Sequence, residues 1–444
     1  MDGSTAECTT AGGQGAEQVT GPGDVPAERP GRRWRGLLAH RDFMLLWGGF
    51  TVSSLGTALS NLAVPILALA ISGSPTLAGL VGAARYAPYL LLNALAGVLV
   101  DRWDRRLVMI VADLGRFAVL ATVPLAYALD GLTVTHLALV AFLEGAGHVF
   151  SAVSHLSALP RLVPAEQVPS ANAANEVGDS AASVGGSALF GVLVGAARNS
   201  TLGAVYAYAV DALTYLASGV SLLFVRGPLQ GEREGSGRTS ILDELKEGFA
   251  FLWRRRLLRL LMLLITAVNF LQAPLTLAAI VLATEQMGVG AGLIGLTMAG
   301  VGAATVLSGL AASRLTERIG LRALVLGSVL LWAVAAAVMA LAPGPMPLAT
   351  GVLITSVLWP VFAVAVVSYR LTATPDALQG RVNSAFRTLS FGAEPLGLAL
   401  GGTLIAAAGS RAVFWGAAAG LALVLLGGAW AWRRLSAAGE AASG

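Results

Sequence analysis

Glu144 and His148 stand four residues apart in an apolar run, so on a helix they share one face. An imidazole changes charge near neutral pH, and a carboxyl one turn away can receive or supply its proton. Inside an apolar element such a pair suits proton uptake and release; the plainer alternative is a hydrogen bond between helices. Asp113 and Arg116, three apart, also share a face and suit a structural ion pair, because charges in an apolar setting need partners. Arg85, Glu176, Asp179, Asp211, Arg387 and Glu394 are further charges embedded in apolar runs. Arg85 needs a carboxylate, and Asp211 lies at similar depth. Glu176 and Asp179 are placed to meet Arg387 in gate or packing salt bridges. Glu394 precedes Pro395, where a broken helix can turn it inward, so it joins Glu144 and His148 as a proton-coupling candidate.

The elements that must position these groups are long and apolar. The 444 residues are 56% apolar and 12% charged, with a mean hydropathy of +0.73, whereas a soluble domain carries about 25% charged residues. The expected class is an all-α membrane protein, its apolar runs spaced for roughly twelve spans of about 20 residues. Arginines crowd alternate loops, which places both termini in the cytoplasm. The net charge of +4 is therefore a topology signal and not a nucleic-acid footprint. Residues 1–36 read as a disordered cytoplasmic tail, 37–226 as an N-terminal six-helix bundle, 257–434 as a C-terminal six-helix bundle and 435–444 as a short tail. Between the bundles, 227–256 is a cytoplasmic linker. In it Ser240 and Asp243 mark a helix start, and Ile241, Leu242, Leu245, Phe249 and Leu252 recur at helical spacing, which predicts an amphipathic helix on the inner leaflet.

Cys8 is the only cysteine, and His40, His136, His148 and His155 lack metal-ligand spacing. No phosphate-binding loop of the G-x4-G-K-[ST] type is present. No metal, cofactor or enzymatic chemistry is expected.

The stretch GVLVDRWDRR, Gly97 to Arg106, puts Asp101, Arg102, Arg105 and Arg106 in a tight hairpin between two apolar runs. Its echo is Ser313, Glu317, Arg318 and Arg322 in the second half, and Asn172 and Gly191 find Asn383 and Gly402. Parallel repeats of six spans imply two bundles related by a pseudo-two-fold axis along the membrane normal, with a site between them near the midplane.

With Gly97, Asp101, Arg102, Arg105 and Arg106 in place, the chain resembles the major facilitator superfamily, over about residues 40 to 434. Asp104 stands where that family usually has glycine. The segments SGSPTLAGL, LPRLVPAEQVPSANAANE, EGFAFLWRRRLLR and QGRVNSAFRTLSFGAEPLGLALGG make it similar to the bacterial exporter branch that includes the enterobactin exporter and macrolide efflux proteins. The Gly-Pro motif of the fifth span in antiporters is incomplete, since Gly185, Gly186 and Gly191 stand there without a proline.

The resemblance implies that the Gly97–Arg106 loop latches the bundles on the cytoplasmic side. It also implies that spans one, four, seven and ten line the cavity. Trp47, Phe50, Asn61, Asn269, Gln272, Trp359 and Phe362 are then the cavity candidates, and aromatics with a few polar groups suit a bulky amphipathic small molecule. The expected function is export of a drug-like compound, secondary metabolite or siderophore, by alternating access against protons, by a monomer in the bacterial inner membrane. Uptake or facilitated diffusion of a small metabolite, and a non-transporting receptor or scaffold on the same fold, remain the alternatives.

Overall fold

The computed structural model describes residues 36–230, 241–375 and 378–443. The tail up to residue 35 and Ser240, the proposed start of the linker helix, lie outside the described residues, as do the Asp101, Ile241, Leu242, Asp243 and Leu245 side chains. The first half contains α1 (Arg41–Ser72), α2 (Pro75–Arg102), α3 (Arg105–Ala128), α4 (Val134–Ala158), α5 (Val168–Ala196) and α6 (Ser200–Leu223). Then come the linker helix α7 (Ile241–Arg254), α8 (Arg256–Gln272) and α9 (Leu275–Val281), the last closed by a π-helical turn at Leu282–Gln286. The remainder is α10 (Ala291–Ile319), α11 (Leu321–Leu341), α12 (Pro345–Ala373), α13 (Gln379–Gly392), α14 (Glu394–Ala408) and α15 (Ser410–Ser443). Helices α8 and α9 together make the seventh span, and α13 and α14 the eleventh.

Local sequence explains many of the boundaries. Ser74, Asp104, Thr133 and Asn199 each accept a backbone N–H of the helix they open, satisfying a donor that the first turn otherwise leaves unpaired. Pro274 separates α8 from α9. Pro395 lacks an N–H and starts α14, so the eleventh span breaks at Ala393.

Ten of the described segments are long and apolar enough to cross a membrane. Helices α2 and α6 complete the two sets of six, and each carries a charge at mid-depth, Arg85 and Asp211. Large apolar side chains such as Leu139, Leu307, Leu310, Leu423 and Leu426 face outward at 57–70% exposure, which only a lipid environment tolerates at this density.

The packing repeats with a period of six spans. Helix α1 packs on α5 and α6 as α8 packs on α13 and α15. The pairs α2–α4, α3–α4 and α3–α6 recur as α10–α12, α11–α12 and α11–α15. Two seams join the bundles and are also related by the repeat: α5 with α10, and α2 with α13 and α14.

Candidate functional site

The densest group of buried charge lies inside the first bundle. Glu144 of α4 is 1% exposed and takes Arg85 of α2 on one carboxylate oxygen at 3.1 Å and Arg116 of α3 on the other at 2.7 Å. Tyr215 of α6 donates to the same oxygen as Arg116 at 3.3 Å, also bonds Arg116 itself, and lays its ring 3.6 Å below that guanidinium. Arg116 reaches Asp113 at 3.9 Å, and Asp113 accepts from Ser218 at 2.7 Å and Ser151 at 3.4 Å. His148 Nδ1 lies 3.4 Å from Arg116. The cluster thus ties α2, α3, α4 and α6 together, and Gly145 lets α4 approach the backbone of α2 at the Arg85 carbonyl.

Arg85 therefore pairs with Glu144 and not with Asp211. Asp211 is fully buried where α6 meets α1, and its oxygens accept from Ser60 and Thr214. No ion pair joins it to another described residue. The α1–α6 seam brings hydroxyls to it while Arg85 is drawn to the carboxylate on α4.

The two inter-bundle seams are tight at one end of the molecule only. At the end opposite the arginine-rich loops, Gly79 of α2 meets Gly402 of α14, and Gly191 of α5 meets Gly295 of α10, with no room for a Cβ at any of the four. Val184 and Ser187 also pack on Gly302. Ser180, Val177 and Ala173 continue the same stripe of α5 toward the arginine-rich end, yet all three are exposed. On α2, Asn93 still bonds Thr388 at 3.3 Å, but nothing lies within 4 Å of the position a Cβ would take at Gly97. The bundles are closed at one end and parted at the other.

Charges line this opening without ion pairs among the described residues. Glu176 and Asp179 of α5 are exposed, and so is Arg387 of α13, whose guanidinium sits 5.3 Å over Phe391. The expected pairing of Glu176 and Asp179 with Arg387 is absent: α5 packs on α10 and α13 on α2, so the two sets of charges stand on different seams across the opening. Glu394, half-buried, opens α14 at the break in the eleventh span. Leu90 packs over Gly392 and Leu398 over Gly82, an antiparallel register that sets Glu394 level with Tyr86. Tyr86 and Tyr89 are 6.0 Å apart, and Tyr89 lies 5.6 Å from His148 and 6.2 Å from Phe391. An aromatic string so connects the level of Glu394 with the buried cluster. Sequence reasoning missed Tyr86, Tyr89 and Tyr215. Their signal was present, since a tyrosine in an apolar run usually marks a polar partner or a wet boundary.

The cavity candidates divide. Asn61 is exposed and Trp359 and Gln272 are half-buried. Trp47 donates to the Ala174 carbonyl at 2.9 Å, and Phe50 stacks on His155 with ring centres 4.3 Å apart, so both serve the α1–α4–α5 packing. Asn269 is buried and donates to Ser390 at 2.8 Å, binding the seventh span to the eleventh. Phe362 is fully buried, edge-on to Trp332 at 5.1 Å, and belongs to the second bundle's core.

In the Gly97–Arg106 loop, Arg105 bonds the Ser157 carbonyl at 3.0 Å and the Leu229 carbonyl at 3.3 Å. Arg106 donates to Leu222 at 2.9 Å and also to Leu223, at the C-terminal end of α6, where unpaired carbonyls and the helix dipole favour a cation. Asp104 caps α3 from its side chain, work that a glycine could not do. Arg102 is exposed. In this arrangement Arg105 and Arg106 fasten the ends of the first bundle's own helices.

A family model described as transmembrane secretion effector matches residues 36–442. The chain belongs to this family of the major facilitator superfamily. It is similar to the multidrug efflux pump Tap of Mycolicibacterium fortuitum, 28% identical over 393 residues that cover 86% of this chain and 93% of Tap. Macrolide efflux protein A of Streptococcus pyogenes is 26% identical over 233 residues, 52% of this chain and 56% of that protein. A solved bacterial homologue of the human lysosomal transporter Spinster, in an inward-facing and unoccupied conformation, superposes with a TM-score of 0.71 at 15% identity, covering 89% of this chain and 97% of the other. The fold is that of a multi-pass membrane transporter.

Proposed function

We propose that this protein exports a drug-like compound or secondary metabolite by alternating access, in exchange for protons, as a monomer in the bacterial cytoplasmic membrane with both termini inside. The observation that carries the reading is the opening between the bundles at the arginine-rich end. Basic loops stay in the cytoplasm, so the space between the bundles is open to the cytoplasm, the side from which an exporter takes its substrate. The names of the relatives, a multidrug pump and a macrolide efflux protein, support the same substrate class and direction.

Glu394 is the carboxyl best placed to exchange the proton. Glu144 is shared between two guanidiniums and His148 faces one of them, so both are committed to packing. Glu394 has no ion pair among the described residues, lies beside a helix break and sits at the inter-bundle seam. Closing the arginine-rich end would bring Glu176 and Asp179 toward Arg387, supplying the pairs that the open form lacks.

The test uses inside-out vesicles loaded with an acidic lumen and offered a labelled macrolide. Wild-type protein should concentrate the compound in the lumen. Glu394→Gln should still equilibrate it but no longer accumulate it. Flux indifferent to the gradient in the wild type would mean facilitated diffusion and overturn the antiport reading.

A further inference from the structure

We propose that the linker helix α7 and the start of α8 form a binding site for the headgroup of an anionic phospholipid. Only Arg255 separates α7 from α8, the first part of the seventh span, so the C-terminal end of α7 is held covalently at the membrane surface. Arg254, Arg255 and Arg256 follow one another there, all exposed and without ion pairs to described residues. Arg259 adds a fourth guanidinium one turn further, 5.4 Å over the Trp253 ring and bonded to the Trp253 carbonyl at 3.2 Å. Residues 248–259 contain no acid, and Glu247 is committed to Arg381.

Beside this cationic edge lies an apolar one. Phe249 and Trp253 stack with ring centres 5.4 Å apart and are 39% and 46% exposed. Rings with guanidiniums alongside, at headgroup depth, match an anionic lipid, with the phosphate on the arginines and the glycerol and upper acyl chain against the rings. A soluble acidic partner would leave the rings in water.

The site also reaches the transport machinery. The other face of α7 is seated on α13: Leu252 is fully buried in one cluster with Val382, Ala385 and Phe386, and Gly248 rests on the Arg381 carbonyl. A lipid on α7 therefore holds α13, the half of the eleventh span that ends beside Glu394, at the membrane surface.

The full chain in nanodiscs of phosphatidylcholine with or without phosphatidylglycerol provides the test. Native mass spectrometry reads the lipid retained, and the thermal midpoint reads its effect. Wild type should retain phosphatidylglycerol selectively and melt higher with it. Arg254→Gln/Arg255→Gln/Arg256→Gln should weaken retention by about 100-fold, at roughly one tenfold step per 1.4 kcal/mol and about 1 kcal/mol per arginine. Arg318→Gln/Arg322→Gln, flanking the turn between α10 and α11 on the same side, should retain it as wild type does. Equal loss in both variants would show diffuse attraction to the leaflet and overturn the site. So would indifference of wild type to phosphatidylglycerol, a readout that does not depend on the triple variant folding. Displacement of the lipid by millimolar inorganic phosphate would overturn the lipid assignment in favour of a simple anion site. Phe249→Ser/Trp253→Ser should weaken retention with all arginines intact, and unchanged retention would remove the rings from the site.

Discussion

Glu144→Gln is the most informative single change. Arg85 is 6% exposed and Glu144 is its ion-pair partner among the described residues, at 3.1 Å. Arg116, 4% exposed, keeps Asp113 at 3.9 Å and the Tyr215 ring at 3.6 Å when Glu144 is neutralised. The variant thus strands one guanidinium and weakens the support of a second. Removing one partner of a buried ion pair costs about 3–5 kcal/mol, because the charge left behind has lost both water and counter-ion. At about 2–4 °C per kcal/mol for a unit of 150–250 residues, the midpoint should fall by roughly 6–20 °C. Thermal unfolding in detergent, followed by fluorescence, measures it. Arg85→Met in the Glu144→Gln background removes the stranded charge and should recover part of the loss, with a coupling of about 1–3 kcal/mol. A midpoint drop under about 2 °C, or a double variant no better than the sum of the singles, would refute the view of Glu144 as the clamp between Arg85 and Arg116.

Other changes probe the seams and the loop. A methyl at Gly191 would come 2.6 Å from the Gly295 carbonyl oxygen, so Gly191→Ala should penalise the closed end by about 1–3 kcal/mol, a shift of about 5- to 150-fold toward its opening. Ser187→Cys in a Cys8→Ser background reports this: Ser187 is 8% exposed, and its maleimide labelling should accelerate when Gly191→Ala is added. Asp104→Ala removes the cap on Leu107 and should cost about 1 kcal/mol, whereas Asp104→Gly should cost only a few tenths. Equal thermal shifts for the two would argue against the cap.

Hydropathy and charge are local properties, and the features they govern were legible without coordinates. The apolar runs, the arginine-rich alternate loops and the echo of Gly97–Arg106 at Ser313–Arg322 announce two bundles of six. Helical periodicity likewise puts Glu144 with His148, and Asp113 with Arg116, on shared faces, and Pro395 marks the break beside Glu394.

Pairing across helices is a different matter, because it depends on rotations and registers that no single segment encodes. Arg85 and Arg116 converge on Glu144 only because α2 meets α4 at Gly145 and Tyr215 of α6 closes the far side. Asp211 receives hydroxyls and not a guanidinium because α1, with Ser60, is the helix packed on it. Phe362 and Trp359 are three residues apart on one face of α12 and both pack on Trp332, at 5.1 and 6.1 Å, yet only Phe362 is fully sealed, a difference that the neighbouring helices set and the spacing does not. The side on which the bundles part belongs wholly to the tertiary structure. Composition and spacing along each helix are the same whichever end is parted, and only the contacts at Gly79–Gly402 and Gly191–Gly295 mark the closed end.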